Sequence, residues 1–287
     1  MANGADFPQA PQSQRLPRCF MHIPKSAGTS IHAAIEAALP GGSLAPQRMD
    51  TSLFCDFDDF ELLSEPVRDL IAVNDDEVRS MERYTAVSGH FSLTTLLQVS
   101  TPSEIGTVLR EPHARTLSLY FYWRTVKIFD SVLPYKAHEY AFESLARFMN
   151  EPRVAPVIDN QICRMLLHGD PRIPRDGFIA KRDIDALAYN AIAALDTLGF
   201  VGVLEREDDA WRGLTRLFDA HLERRQINVT HRLGDPVPRN PEEGLLTRDA
   251  LRLVAQRNAA DRIVYEHALA CADARKRATA SRGAAAS

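Results

Sequence analysis

Short apolar runs that lead straight into amphipathic stretches recur along this chain, and that alternation constrains the fold more than any other feature. Residues 18–23 are apolar in the manner of a buried strand. Ile31, Ala34, Ile35, Ala38 and Leu39 then recur at the spacing of a core-facing helix, which Pro40, Gly41 and Gly42 end. The unit repeats at residues 105–109, followed by a helix from Pro112, where proline costs no backbone donor. Residues 85–88 give a third strand. Residues 200–204 give a fourth, ahead of a helix with Trp211, Leu214, Leu217, Phe218 and Leu222 on one face. Helices are also expected near 141–149, 157–168 and 187–198, with a last pair over 247–272. Strand then helix, several times over, predicts an α/β fold with a mainly parallel sheet covered on both faces. Ligands in such sheets bind beyond the carboxyl ends of the strands, so the loops after Ile23, Ser88 and Leu109 are the ones to watch.

With 287 residues, 45% of them hydrophobic, the chain can bury one sizeable core. Residues 1–17 and 275–287 carry too little apolar surface to offset ordering, and are expected as a disordered lead and tail around a single domain over 18–274. The net charge of −4 argues against general nucleic-acid binding, which leaves a basic excess on a protein, so any anion site must be local. Cys19, Cys55, Cys163 and Cys271 are scattered without CxxC spacing, as expected of reduced thiols in a cytoplasm. The polar N-terminus lacks the apolar stretch of a secretory signal, and no window reaches the roughly 20 apolar residues that span a bilayer. A cytoplasmic protein with no integral membrane segment is therefore expected. The acidic run at 56–61 lacks EF-hand spacing and reads as a solvated loop or short helix.

The loop after the first strand carries Lys25, Ser26, Ala27, Gly28, Thr29 and Ser30 into a helix N-terminus, whose free N–H groups and positive dipole end attract anions. Gly28 permits close backbone approach, Lys25 adds a mobile charge, and the three hydroxyls can donate further hydrogen bonds. This is not the nucleotide P-loop GxxxxGK[ST], because the lysine precedes the glycine. The plainer alternative is a helix capped by Thr29 or Ser30 with Lys25 as ordinary surface.

A second motif, VLREPHARTLSLYFYWR, puts Arg110 where a strand meets its turn and Ser118 about two turns into the next helix. A guanidinium there can grip a phosphate with paired donors, and a serine can complete the shell. Alone, Arg110 fits a structural ion pair equally well and Ser118 a helix serine bonded to its own backbone; beside the first loop, the pair points to a ligand with two separated acidic groups. Tyr120, Phe121, Tyr122 and Trp123 read as core and groove packing.

HIPKSAGTS followed by LREPHARTLSLYFYWR resembles the paired signatures of sulfotransferases that use 3′-phosphoadenosine 5′-phosphosulfate (PAPS), particularly the carbohydrate group with heparan sulfate 2-O- and uronyl 2-O-sulfotransferases. SGHFS, DNQICRMLLHG, FVGVLEREDDAW and NAADRIVYEHA echo the group's order of segments over roughly residues 18–270. The resemblance implies a P-loop-like three-layer α/β/α sandwich, with 5′-phosphosulfate contacts from Lys25 through Ser30 and 3′-phosphate contacts from Arg110 and Ser118. It also implies transfer to a hydroxyl of a saccharide or glycolipid, with PAPS as co-substrate and no metal. The membrane anchor of the animal members finds no counterpart in this sequence.

For the base that takes the acceptor's proton we choose His90, just beyond the third strand; Gly89-His90 matches a Gly-His pair in related carbohydrate sulfotransferases. Lys25 is the candidate for stabilising the leaving phosphate. A histidine beside a glycine can also simply bond a carbonyl at a strand end. His22 is read as lying within the first strand and His32 within its helix, both in packing roles; His113 lies near the second anion site. Asn160, Gln161 and Arg164 either line an acceptor groove or brace an internal helix, with the structural role favoured, and Glu205 reads as an ion-pairing residue at a strand end. Two rivals remain: a small-molecule or nucleotide kinase, disfavoured by the lysine's position and by Arg110 where a magnesium carboxylate would stand, and a non-catalytic binding protein on the same sheet.

Overall fold

The computed structural model describes residues 15–50, 53, 64–72, 74–125, 136–224 and 246–285. The four expected strands form within a residue or two of where the pattern puts them: β1 Arg18–Met21, β4 Ala86–Gly89, β5 Ile105–Leu109 and β6 Phe200–Val203. Between β1 and β4 lie two-residue strands, β2 Met49–Asp50 and β3 Ile71–Ala72, which pair with each other as a second small sheet, with a single bridge from Met49 to His90, and which the sequence pattern does not reveal. The main sheet runs β4-β1-β5-β6, all parallel. Met21 stands level with Gly89 on one side and Thr107 on the other, so the loops after β1, β4 and β5 leave from one edge.

Alternation along the strands divides the core into two layers, because successive side chains point to opposite faces. Phe20, Ala86, Val108 and Phe200 pack against Ile31, Ala34 and Ile35 of the helix Gly28–Ala38 and against Trp211, Leu214 and Phe218 of the helix Glu207–Phe218. Cys19, Met21, Val87, Ile105, Leu109 and Val203 face a larger cluster that includes Leu119, Tyr120, Phe148, Ile162, Leu195, Val254 and Val264. The result is the expected three-layer α/β/α arrangement. Among the described residues no helix is long and apolar enough to cross a membrane.

Two expectations need correction. A single helix over 157–168 is instead broken into Ala155–Ile158 and Gln161–Leu166, because Asn160 sits in the left-handed region at φ 49°. Its Oδ1 accepts from Ala260 N (2.8 Å) and Asp261 N (3.2 Å), while the Asp261 carboxylate accepts from Ile162 N and Cys163 N (both 2.9 Å). Each side chain thus caps the other's helix. Asn160→Ala is expected to cost about 2 kcal/mol, from two lost acceptors and a left-handed alanine, read as a lower urea midpoint at unchanged slope.

The second correction concerns the tail expected from Arg275. The helix Ala259–Ala285 continues through it. Arg275 donates to Asp209 (2.8 Å) and to the Val201 carbonyl (2.8 Å), and the alanine-rich sequence that offers little apolar surface has high helix propensity. Residues 1–14 of the expected lead and the acidic run at 56–61 lie outside the described residues, as does Cys55.

Candidate functional site

β1 ends at Met21, and the chain turns at once. Ser26 N donates to the Ile23 carbonyl (3.2 Å), closing a four-residue turn with Pro24 and Lys25 at its centre. Proline suits the second position of such a turn, and Lys25 adopts the positive φ (66°) that a type II turn requires at its third. Ala27 is also left-handed, at φ 62°, while Ser26 between them is not. Alternating handedness turns successive N–H groups to one side and makes an anion-binding hollow, at a cost on the order of 1 kcal/mol for each left-handed non-glycine residue.

The helix begins at Gly28 with Ala27 as its N-cap, and among the described residues no side chain caps it. The alternative in which Thr29 or Ser30 serves as cap is thereby excluded: Thr29 is exposed in the first turn and Ser30 is buried there. No acidic residue occupies the first turn either. Ser26 is 1% exposed, and its Oγ meets no hydrogen-bond partner among the described residues. A desolvated hydroxyl without a partner costs about 1–3 kcal/mol, which a bound oxyanion would recover.

The second motif reaches the first directly. Arg110, just past β5, donates from Nη1 to the Lys25 carbonyl (3.1 Å) across 85 residues of sequence. The following helix, Pro112–Thr125, differs from the first because the Glu111 carboxylate accepts from His113 N (3.2 Å) and Ala114 N (2.7 Å). Its N-terminus is filled from within, so at this strand end Arg110 supplies the cationic group. Ser118 is half-buried one turn before Tyr122, and residues four apart share a helix face. Tyr122 holds the Lys25 ammonium over its ring, 3.7 Å from the centroid.

Burial first, and then the Arg110 charge, push Lys25 down to about 8. Burial also lowers Arg110, against the pull of Glu205 and Glu111. A chain of net charge −4 thus concentrates two cationic side chains at the ends of its central strands.

His90 follows β4. Its backbone is held on the far side by Asp50 N donating to the His90 carbonyl (2.9 Å) and by His90 N donating to the Arg48 carbonyl (3.2 Å). Asp50 is fixed in turn, its carboxylate accepting from Ser92 N and Ser92 Oγ (both 3.0 Å) and from Thr95 Oγ1. The His90 ring nitrogen Nδ1 lies 2.8 Å from the His22 carbonyl oxygen. A carbonyl only accepts, so the proton is on Nδ1 and Nε2 carries the lone pair, the tautomer of a general base. Burial pushes His90 down to about 4, opposed by that hydrogen bond and reinforced by Lys25.

The loop residues, Arg110 and His90 therefore meet at one sheet edge, as expected. His22 belongs with them, although the sequence pattern places it inside the strand. It is 5% exposed, its ring centroid lies 4.1 Å from that of His90, and burial holds it well below the usual histidine range. Its alternation with Phe20 puts it on the helix-facing side, a signal present in the sequence.

The other leads resolve as structure. Arg164 is engaged by the Asp159 carbonyl (2.7 Å) and carboxylate (2.9 Å) and by the Pro174 and Gly177 carbonyls (both 2.8 Å), through four of its five donors. With its amide nitrogen turned toward them, Gln161 reaches the Pro156 and Val157 carbonyls. Glu205 accepts from Glu111 N (3.0 Å) and steadies the second motif. His113 pairs loosely with Glu111 (3.8 Å). The chain matches the model of no known protein family and none of the curated proteins.

Proposed function

We propose that this protein is a sulfotransferase moving the sulfuryl group of PAPS to a hydroxyl of a saccharide or glycolipid. The observation that carries the reading is the Arg110–Lys25 hydrogen bond, which fastens a cationic group at one strand end to an uncapped, lysine-bearing hollow at the next. A donor with a phosphosulfate at one end of an adenosine and a phosphate at the other matches two such groups.

Transfer is in-line: the acceptor oxygen forms a bond to sulfur as the bond from sulfur to the 5′-phosphate oxygen breaks. The acceptor proton passes to Nε2 of His90. Lys25 and the N–H groups at the start of the helix Gly28–Ala38 stabilise the charge that grows on the departing phosphate, where fixed donors in a desolvated site act most strongly. Ser26 Oγ, and the hydroxyls of Thr29 and Ser30, complete the grip on the 5′ end, and Arg110 with Ser118 takes the 3′-phosphate.

Adenosine 3′,5′-bisphosphate is expected to raise the midpoint of thermal unfolding, and ATP with magnesium to leave it unchanged. Arg110→Ala should weaken bisphosphate binding roughly 30- to 100-fold, the loss of a charge-assisted contact. Labelled sulfate donor offered to a panel of saccharides, glycolipids and small alcohols, with mass detection, identifies the acceptor. Stabilisation by ATP–magnesium alone would replace this reading with the kinase one.

A further inference from the structure

Within the proposed reaction, on which this step rests, we infer that the His22 imidazole is a positioning residue: a wedge that sets the spacing between the base His90 and the anion loop. Its ring touches both elements. The His90 ring lies 4.1 Å away, centroid to centroid, at an interplanar angle of 31°. At Gly28 an added methyl group would fall inside the imidazole, against Cδ2 and Nε2, and the Phe20 ring stacks 6.1 Å away. Gly28 shows no positive φ, so the ring of His22, and no backbone demand, is what keeps a side chain out of that position.

The backbone and side chain of His22 divide the work. The carbonyl accepts the His90 Nδ1 proton and fixes the tautomer, whatever side chain stands at position 22. The ring, 5% exposed and with Nδ1 meeting no partner among the described residues, is held there by packing. In-line transfer tolerates little error in the separation of base and donor, and a displacement near 1 Å can cost about a hundredfold in rate. A rigid ring between the two elements that carry them fixes that separation. The charged and titratable groups around the pair are Lys25 on the same loop and His32 on the Gly28–Ala38 helix. The Asp50 carboxylate beyond them is turned to Ser92 and Thr95.

Three variants test the wedge. His22→Ala should lower kcat about 30- to 100-fold with the bisphosphate Kd within about twofold of the parent, the split expected of lost positioning. The His90 imidazole, followed by NMR titration of the ligand-free protein, should move up toward 6.5 as the emptied space admits water. His22→Phe, which keeps a ring, should recover at least about a tenth of the parent's turnover. Gly28→Ala should destabilise the protein, and adding His22→Ala should restore the melting midpoint without restoring turnover. Recovery of both in the double variant, a His22→Phe that folds and binds but is as slow as His22→Ala, or a His22→Ala with unchanged turnover and His90 titration, would each overturn the wedge. The melting and NMR arms need no substrate. A parent protein that neither binds bisphosphate nor transfers sulfate therefore removes the sulfotransferase reading, while those two arms still decide whether His22 spaces His90 from the loop.

Discussion

Replacing His90 by asparagine is expected to lower kcat about 100- to 10 000-fold while leaving the bisphosphate Kd within about twofold, as measured by single-turnover sulfation and calorimetry. The substitution separates two roles of one ring. An asparagine amide can place an N–H where Nδ1 now donates to the His22 carbonyl (2.8 Å), so the turn after β4 and the contacts of the anion loop are kept. What disappears is the lone pair on Nε2. Burial, the main influence on His90, keeps its titration near 4, so the parent's turnover should hold through neutrality and fall only as pH drops through that value. A base must be deprotonated to act, which sets the sign of this acidic limb, and the asparagine variant should lack it. A variant with parental turnover would leave His90 as a strand-end residue bonding a carbonyl.

The strands were legible because each is a brief apolar run closed by a change of composition: Pro24 beyond β1, Gly89 at the end of β4, Glu111-Pro112 beyond β5. Local composition decides such boundaries, so β5 is found at the expected residues and the others within two. The loop from Lys25 to Ser30 was legible for the same reason. Its geometry was not, since two left-handed non-glycine residues in three positions are an arrangement that local propensity disfavours and that the surrounding packing must impose. The Arg110–Lys25 bond, the seat of Lys25 on Tyr122 and the paired caps of Asn160 and Asp261 join segments far apart in sequence. Periodicity reports which face a residue takes, and says nothing about which distant loop that face meets. His22 is the instructive miss. Ending β1 two residues earlier turns a packing histidine into the neighbour of His90, and its alternation with Phe20 and the missing side chain at Gly28 are the hints that the sequence holds.

Lys25→Met is expected to make the protein more stable and unable to hold the donor. The Lys25 ammonium is stationed in a partly desolvated hollow beside Arg110, and burial followed by that repulsion brings it from 10.5 to about 8. At pH 7 the folded protein carries the charge at a cost. Between about 8 and 10.5 the unfolded chain still binds the proton while the folded state does not, so the parent's stability rises with pH across that window and levels off above it. Methionine keeps an unbranched stem and a polarisable sulfur against the Tyr122 ring, and it meets the same left-handed backbone, so strain is unchanged. With the water-exposed part of the side chain discounted, the variant should be more stable by ~2 kcal/mol at pH 7, and the gap should close as pH approaches 10.5, as followed by urea unfolding at several pH values. Bisphosphate affinity should fall at least about 100-fold in the variant, and in the parent it should weaken as pH rises through 8, where the ammonium is lost. A protein selected for stability alone would not hold a cation against burial and a neighbouring guanidinium; one that must hold an anion there would. If Lys25→Met proved less stable than the parent at pH 7, the charge would be serving the fold, and the hollow around it would need no ligand to explain it.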